Sequence, residues 1–312
     1  MGILKKQGTI RLAGLTVVVI TFSLSLLMVV TCGEGNSWSR MDSGATRELE
    51  DVWGTSPSDV FAVGRDGVIL HYDGTTWTSM NSGTTNWLKK IWGSSSSDVF
   101  AVGVLGTILQ YDGASWSKMD SGTTYMLRSV WGTSSSDVFA VGWHGLILHY
   151  DGTTWSSMAQ TTECILRGVW GSSSSNVFAV GVDADGGIIL HYDGTSWTRM
   201  ETDNTNSLRR VWGSSSSDIF AVGVGGTILH YDGTSWNSMA SGTQDNFWDI
   251  WGSSAADVYA VALSFTIYHY DCTSWTSMET GITNSLRGVW GSSSSDIFVV
   301  GDGGTILHYR SK

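Results

Sequence analysis

One tripeptide, Val/Ile-Trp-Gly, returns seven times along the chain, at Trp53, Trp92, Trp131, Trp170, Trp212, Trp251 and Trp290. The intervals are 39, 39, 39, 42, 39 and 39 residues. A period this regular means that each copy is one supersecondary unit, stable only when stacked against its neighbours. The unit from Leu208 to Met239 reads LRRVWG-SSSSD-IFAVG-VGG-TILHYDG-TSWNSM. Its four short apolar runs, each bounded by Gly, Ser or Asp, predict a four-stranded antiparallel sheet. A single Pro, 39 Gly and only 14% charged residues fit many short strands and tight turns better than helices. Such a sheet carries two apolar faces, and stacking copies around an axis buries both.

The offset of the repeats predicts how the ring closes. A fourth-strand motif, Trp-x-x-Met, occurs at Trp77, Trp116, Trp155, Trp197, Trp236 and Trp275, and once more at Trp38, ahead of the first Val-Trp-Gly. The last repeat stops at Ile306-Leu307-His308-Tyr309 without its own copy. Strand Trp38–Met41 therefore completes the seventh unit and removes the free edges that invite aggregation. The expected fold is an all-β, seven-bladed β-propeller of four-stranded antiparallel blades, spanning 37–310 and closed by its N-terminal strand.

The repeat resembles those of seven-bladed bacterial propellers, including the photosystem assembly-factor-type and Asp-box (sialidase-type) families, over residues 36–310. Its Asp-Gly-Thr-Ser/Thr-Trp turn, for example Asp73 to Trp77, is similar to an Asp-box, with Asp and Gly adjacent where that motif separates them. The resemblance implies the fold and carries over no activity.

Residues 1–31 stand outside the repeat. Lys5, Lys6 and Arg11 precede an uncharged apolar run from Leu12 to Val30, the layout of an export signal or an uncleaved membrane anchor. The end of that run, Val29-Val30-Thr31-Cys32-Gly33, resembles a bacterial lipoprotein signal, with Thr31 where Gly, Ala or Ser is usual. The resemblance implies a lipidated Cys32 as mature N-terminus, a short tether at 32–36, and a secreted or cell-envelope, membrane-anchored protein. No Asn-x-Ser/Thr sequon occurs, which favours a prokaryotic source. Residues 1–31 hold three basic and no acidic residues, so without them the net charge moves from −11 to −14. A chain this acidic repels phosphate backbones, which excludes nucleic acid as the expected partner.

Strand order assigns the near-invariant Ser-Ser-Ser-Ser-Asp and Asp-Gly-Thr turns to one face, the bottom. The variable 2–3 turns and 4–1 connections fall on the top, where function is expected. Fourteen of the 17 Trp fill the two repeat slots and read as blade packing. Trp87, Trp143 and Trp248 do not, and all map to the top face or channel rim. With Leu105, Tyr125, Met126 and Ile165 they predict an apolar, aromatic patch, beside which His144 is placed to hydrogen-bond a ligand. The slot after the first-strand apolar residue holds Glu50, Lys89, Arg128, Arg167, Arg209, Trp248 and Arg287. Five cations in an acidic chain would ring the upper channel mouth and attract a carboxylate, an anionic sugar or an acidic peptide terminus. Local pairing with blade carboxylates is the competing reading.

The repeated Asp residues are expected to accept backbone N–H bonds in tight turns rather than bind metal. Asp183 and Asp185, in the blade 4 insertion, are weak calcium candidates lacking the other ligands of a calcium loop. No cofactor is otherwise expected. The six His of the His-Tyr slot fall one per blade, too far apart to share a zinc ion. Cys164 and Cys272 map to opposite faces and should not pair. No catalytic motif is present. The expected function is a non-catalytic extracytoplasmic propeller that binds a protein partner or glycan through its top face. The alternatives are a carbohydrate-active enzyme of sialidase or lyase type and a structural envelope protein.

Overall fold

The computed structural model describes residues 37–158 and 164–311, with a two-residue strand pair at Arg11–Leu12 and Leu15–Thr16. Cys32 and the tether lie outside the described residues. Seven four-stranded antiparallel sheets form the ring. In blade 1 the strands are Leu49–Ser56, Asp59–Gly64, Ile69–Tyr72 and Trp77–Met80, counted from the channel outwards. In blade 7 they are Leu286–Ser293, Asp296–Gly301, Thr305–Arg310 and, from the other end of the chain, Ser37–Met41. Ser37 pairs with Arg310 and Met41 with Ile306, so the N-terminal strand closes the ring.

The core lies between blades rather than within them. One of its seven clusters joins Phe61, Val63 and Ile69 of blade 1 to Leu88, Ile91, Val99, Ala101, Leu109 and Trp116 of blade 2. Phe61 is fully buried, its ring edge-on to Trp116 of the next blade with centroids 6.4 Å apart. The outer Trp and Met act as rivets. The Trp155, Trp197 and Trp236 indoles donate to the sulfurs of Met119, Met158 and Met200, one blade back, at 3.4–3.5 Å. Inner Trp53 lies over Gly93 of blade 2, and Trp290 lies over Gly54 across the closure.

At the bottom, two side-chain devices recur. The Asp73 carboxylate accepts from the N–H groups of Thr75 and Thr76 and from the Thr75 hydroxyl, which hold its pKa down at about 2. This is the expected tight turn. The strand-2 Asp residues do something else: Asp59 accepts from the Thr55 hydroxyl and pairs with His71 Nε2 at 2.7 Å. Their partners are side chains rather than the expected backbone N–H groups, because residue 59 opens a strand whose backbone is already committed to the ladder. Blade 2 substitutes Gln110 for the histidine and blade 4 Asn176 for the aspartate, and both pairs survive, at 2.9 and 2.6 Å.

Candidate functional site: the basic cup at the upper channel mouth

Every inner strand carries a β-bulge at the same place. In blade 1, Leu49 pairs with Gly64 and Asp51 with Val63, leaving Glu50 as the extra residue. The corresponding residues in blades 2, 3 and 5 are Lys89, Arg128 and Arg209. In blades 4, 6 and 7 they are Arg167, Trp248 and Arg287. A bulge breaks the two-residue alternation and re-aims side chains, so both the bulged residue and its successor reach the channel.

The bulged residues form a cup lined by Glu50, Lys89, Arg128, Arg167, Arg209, Arg210 and Trp248. The ring is not electrically uniform. Glu50, 2% exposed, accepts from Lys89 Nζ at 3.0 Å and from Arg287 Nη1 at 3.2 Å. Arg287 also pairs with Asp302 at 2.5 Å. Blades 7, 1 and 2 are thus internally neutralised. Burial nevertheless pulls the Lys89 ammonium down to about 8, against the opposing pull of Glu50.

Blades 3, 4 and 5 differ. Arg128, Arg167 and Arg209 have buried Nε atoms without a hydrogen-bond partner, and none of the three guanidiniums donates to a described protein atom. Burial and the neighbouring guanidiniums pull Arg128 and Arg209 down to about 10, and Arg167 in the same direction.

Below the cup, the residues after the bulge plug the channel. Lys90 Nζ lies 2.8 Å from Asp51 next door and 3.1 Å from Asp249 on blade 6. Asp249 also pairs with Arg210 at 3.4 Å. Asp51 and Asp249 accept the backbone N–H groups of Ile91 and Val289 one blade further on, tying blades together at the axis. Burial raises the Asp51 pKa, opposed by Lys90. The sequence reading did not single out this layer, since strict alternation points these residues away from the channel. Beneath it, the seven Val/Ile-Trp-Gly indoles line a lower vestibule of about 120 Å³.

The three non-repeat tryptophans converge on the cup in different roles. Trp87 packs under Lys89 Nζ, 3.1 Å from the ring centroid, and under Arg65 at 4.9 Å. Trp248 packs against Arg209 at 4.0 Å and Arg287 at 5.3 Å. Both are half-buried supports for cations rather than open stacking surfaces. Trp143 is 39% exposed, with Arg128 at 5.9 Å from its ring. Beside it the His144 ring packs tilted against exposed Tyr125, with centroids 4.5 Å apart. A groove of about 430 Å³ runs from Trp143 and His144 to Cys164, Ile165 and Asp183.

Asp183 is engaged by Arg199 and by the Asp185 backbone N–H. Among the described residues no group of three or more His, Cys, Asp or Glu is arranged to hold a metal ion. Cys164 is buried and Cys272 exposed, and they are not bonded to each other.

Fold and site together define a seven-bladed propeller with a plugged channel and one basic mouth. No family model and no curated protein matches the chain. Solved structures do. YCF48 bound to D1 peptide is similar with a TM-score of 0.74 and 16% identity, over 90% of this chain and 97% of that one. YCF48 from Cyanidioschyzon merolae gives 0.72 and 15%, over 88% and 98%. The WD40 propeller domain of Doa1 gives 0.76 and 14%, over 90% and 97%. At these identities the likeness is one of fold.

Proposed function

We propose that the chain is a non-catalytic, extracytoplasmic binding propeller whose top face recognises an acidic segment of a protein partner, with an anionic glycan as the second ligand class. The observation that carries this reading is the arc of Arg128, Arg167 and Arg209, whose guanidiniums donate to no described protein atom, beside exposed Trp143. Cationic groups held in a concave, partly desolvated site attract carboxylates more strongly than surface charges do. That YCF48 has been solved with a peptide bound supports a peptide ligand for a propeller of this kind. The N-terminal signal supports placement in the cell envelope, through a lipid on Cys32 or an uncleaved anchor, and the acidic net charge argues against nucleic acid.

Catalysis is disfavoured by the chemistry of the cup. Among the described residues the one carboxylate lining it, Glu50, is committed to Lys89 and Arg287, so no carboxylate pair of the described residues faces a substrate there. Five strand-3 tyrosines, Tyr72, Tyr111, Tyr192, Tyr231 and Tyr270, donate to carbonyls of the turn that follows. The test is capture from envelope extract by residues 33–312, beside a folded Arg128→Glu/Arg167→Glu variant. The expected result is a partner held by the wild type at low salt, weakened by salt and lost in the variant. Equal capture by both proteins would remove the arginine arc from the function.

A further inference from the structure

Charge in the cup does not balance. Glu50 serves Lys89 and Arg287, and Asp249 serves Lys90 and Arg210. Among the described residues, nothing comparable serves Arg128, Arg167 and Arg209 on three consecutive blades. A guanidinium keeps its proton at neutral pH and presents five donors, so crowding three half-buried ones together, each with a buried Nε lacking an acceptor, is costly. The fold does not relieve the repulsion by turning them outward, because each sits on a bulge that aims it inward and the Arg209 ring partner, Trp248, holds it there. The cup that they line with Glu50, Lys89, Arg210 and Trp248 has a free volume of about 10 Å³, room for one water-sized group.

We propose that this arc is a binding site for a single monovalent anion of halide size, which supplies the missing counter-charge and which a partner's carboxylate must displace. The inference rests on the same arginines as the partner-binding reading but requires no partner to be present. The anion stabilises the native ring by binding it and not the unfolded chain. It also makes partner binding depend on which anion is present, beyond the general screening that any salt provides.

The experiment uses the 33–312 protein in gluconate buffer, exchanged for chloride, bromide, acetate or sulfate at constant ionic strength. Melting temperature and chloride-35 NMR line width are the two readouts. Chloride and bromide are expected to raise the melting temperature saturably, by roughly 5 °C at a hundredfold excess over Kd. Chloride line broadening should saturate in parallel. Arg167→Met, which relieves repulsion and so should still fold, is expected to abolish both effects. The same melting temperature in every anion would mean screening alone and would overturn the proposal. A response to acetate but not to halides would overturn it too, leaving a carboxylate site. Partner capture measured separately distinguishes the two readings: capture without a halide effect retains the partner site and discards the anion.

Discussion

Leu105 has a φ of 55°, in the left-handed region, and its side chain is 64% exposed. The same slot at the tip of the 2–3 turn holds Asp66, His144 and Phe265 at φ of 58°, 59° and 62°, whereas blades 5 and 7 use Gly225 and Gly303. A β-carbon there costs on the order of 1–2 kcal/mol, and glycine escapes that cost at a smaller entropic one. Exposed Leu and Phe gain little in packing from the position, so the strain is retained for something the folded monomer does not reveal. Leu105→Gly is therefore expected to stabilise the protein by about 1 kcal/mol in denaturant unfolding while weakening partner capture. A loss of stability would mean that Leu105 is held by packing after all. At this scale the sequence was a good guide to which residues were unusual and a poor one to what they touch. Trp87 and Trp248 were visible as departures from the repeat. That their rings carry cations instead of meeting ligand depends on side-chain directions set by the bulges, which no spacing rule encodes.

The inner strand explains both the success and the gap at the level of elements. Seven aligned copies placed Glu50, Lys89, Arg128, Arg167, Arg209, Trp248 and Arg287 in one slot, and the cup is built from that slot. Its successor, including Asp51, Lys90, Arg210 and Asp249, was missed because a bulge puts consecutive residues on the channel side, against the period of two. The Asp–His staple left no covariation to read, since blade 2 changes only the histidine, to Gln110 beside Asp98, and blade 4 only the aspartate, to Asn176 beside His191. Blade contact makes a sharper prediction. A β-carbon on Gly93 would lie 2.5 Å from Cη2 of Trp53 and 2.8 Å from the Asp98 carbonyl oxygen. Gly93→Ala is expected to cost about 1–3 kcal/mol in thermal unfolding by overpacking this contact. Gly93 does not have a positive φ, so the loss reports packing, whereas Gly83→Ala, at φ of 68° with nothing within 4 Å, reports backbone strain alone. An unchanged melting temperature for Gly93→Ala would show that the inter-blade tryptophan contact has room to give.

For the whole molecule the deciding feature is that the ring is closed by residues from opposite ends of the chain. Ser37–Met41 is paired along its full length with the strand of Tyr309 and Ile306, and Met41 packs into the cluster that joins blade 7 to blade 1. Trp77 and Tyr72 of blade 1 meet Phe298 of blade 7 in the same interface. The seven interfaces are chemically alike, yet this one joins residues some 220–270 positions apart, so it carries the largest loop-closure entropy. Removing residues 37–41 leaves the backbone of Thr305–Arg310 as an open edge and uncovers Trp38's packing partner Tyr309. The expected outcome is a lower melting temperature together with concentration-dependent dimers, in which the edge of one ring pairs with another. A synthetic peptide spanning residues 36–42 should bind the truncated ring and restore the monomer, measured by size-exclusion chromatography and thermal unfolding. If the truncated chain stays monomeric at the wild-type melting temperature, the latch is dispensable and the ring is held by its blade interfaces alone. Because Glu50 of blade 1 is paired across the closure with Arg287 of blade 7, an opened ring should also separate these two. Loss of the chloride response in the truncated ring, and its return with the peptide, would connect closure at the periphery to the electrostatics of the axis.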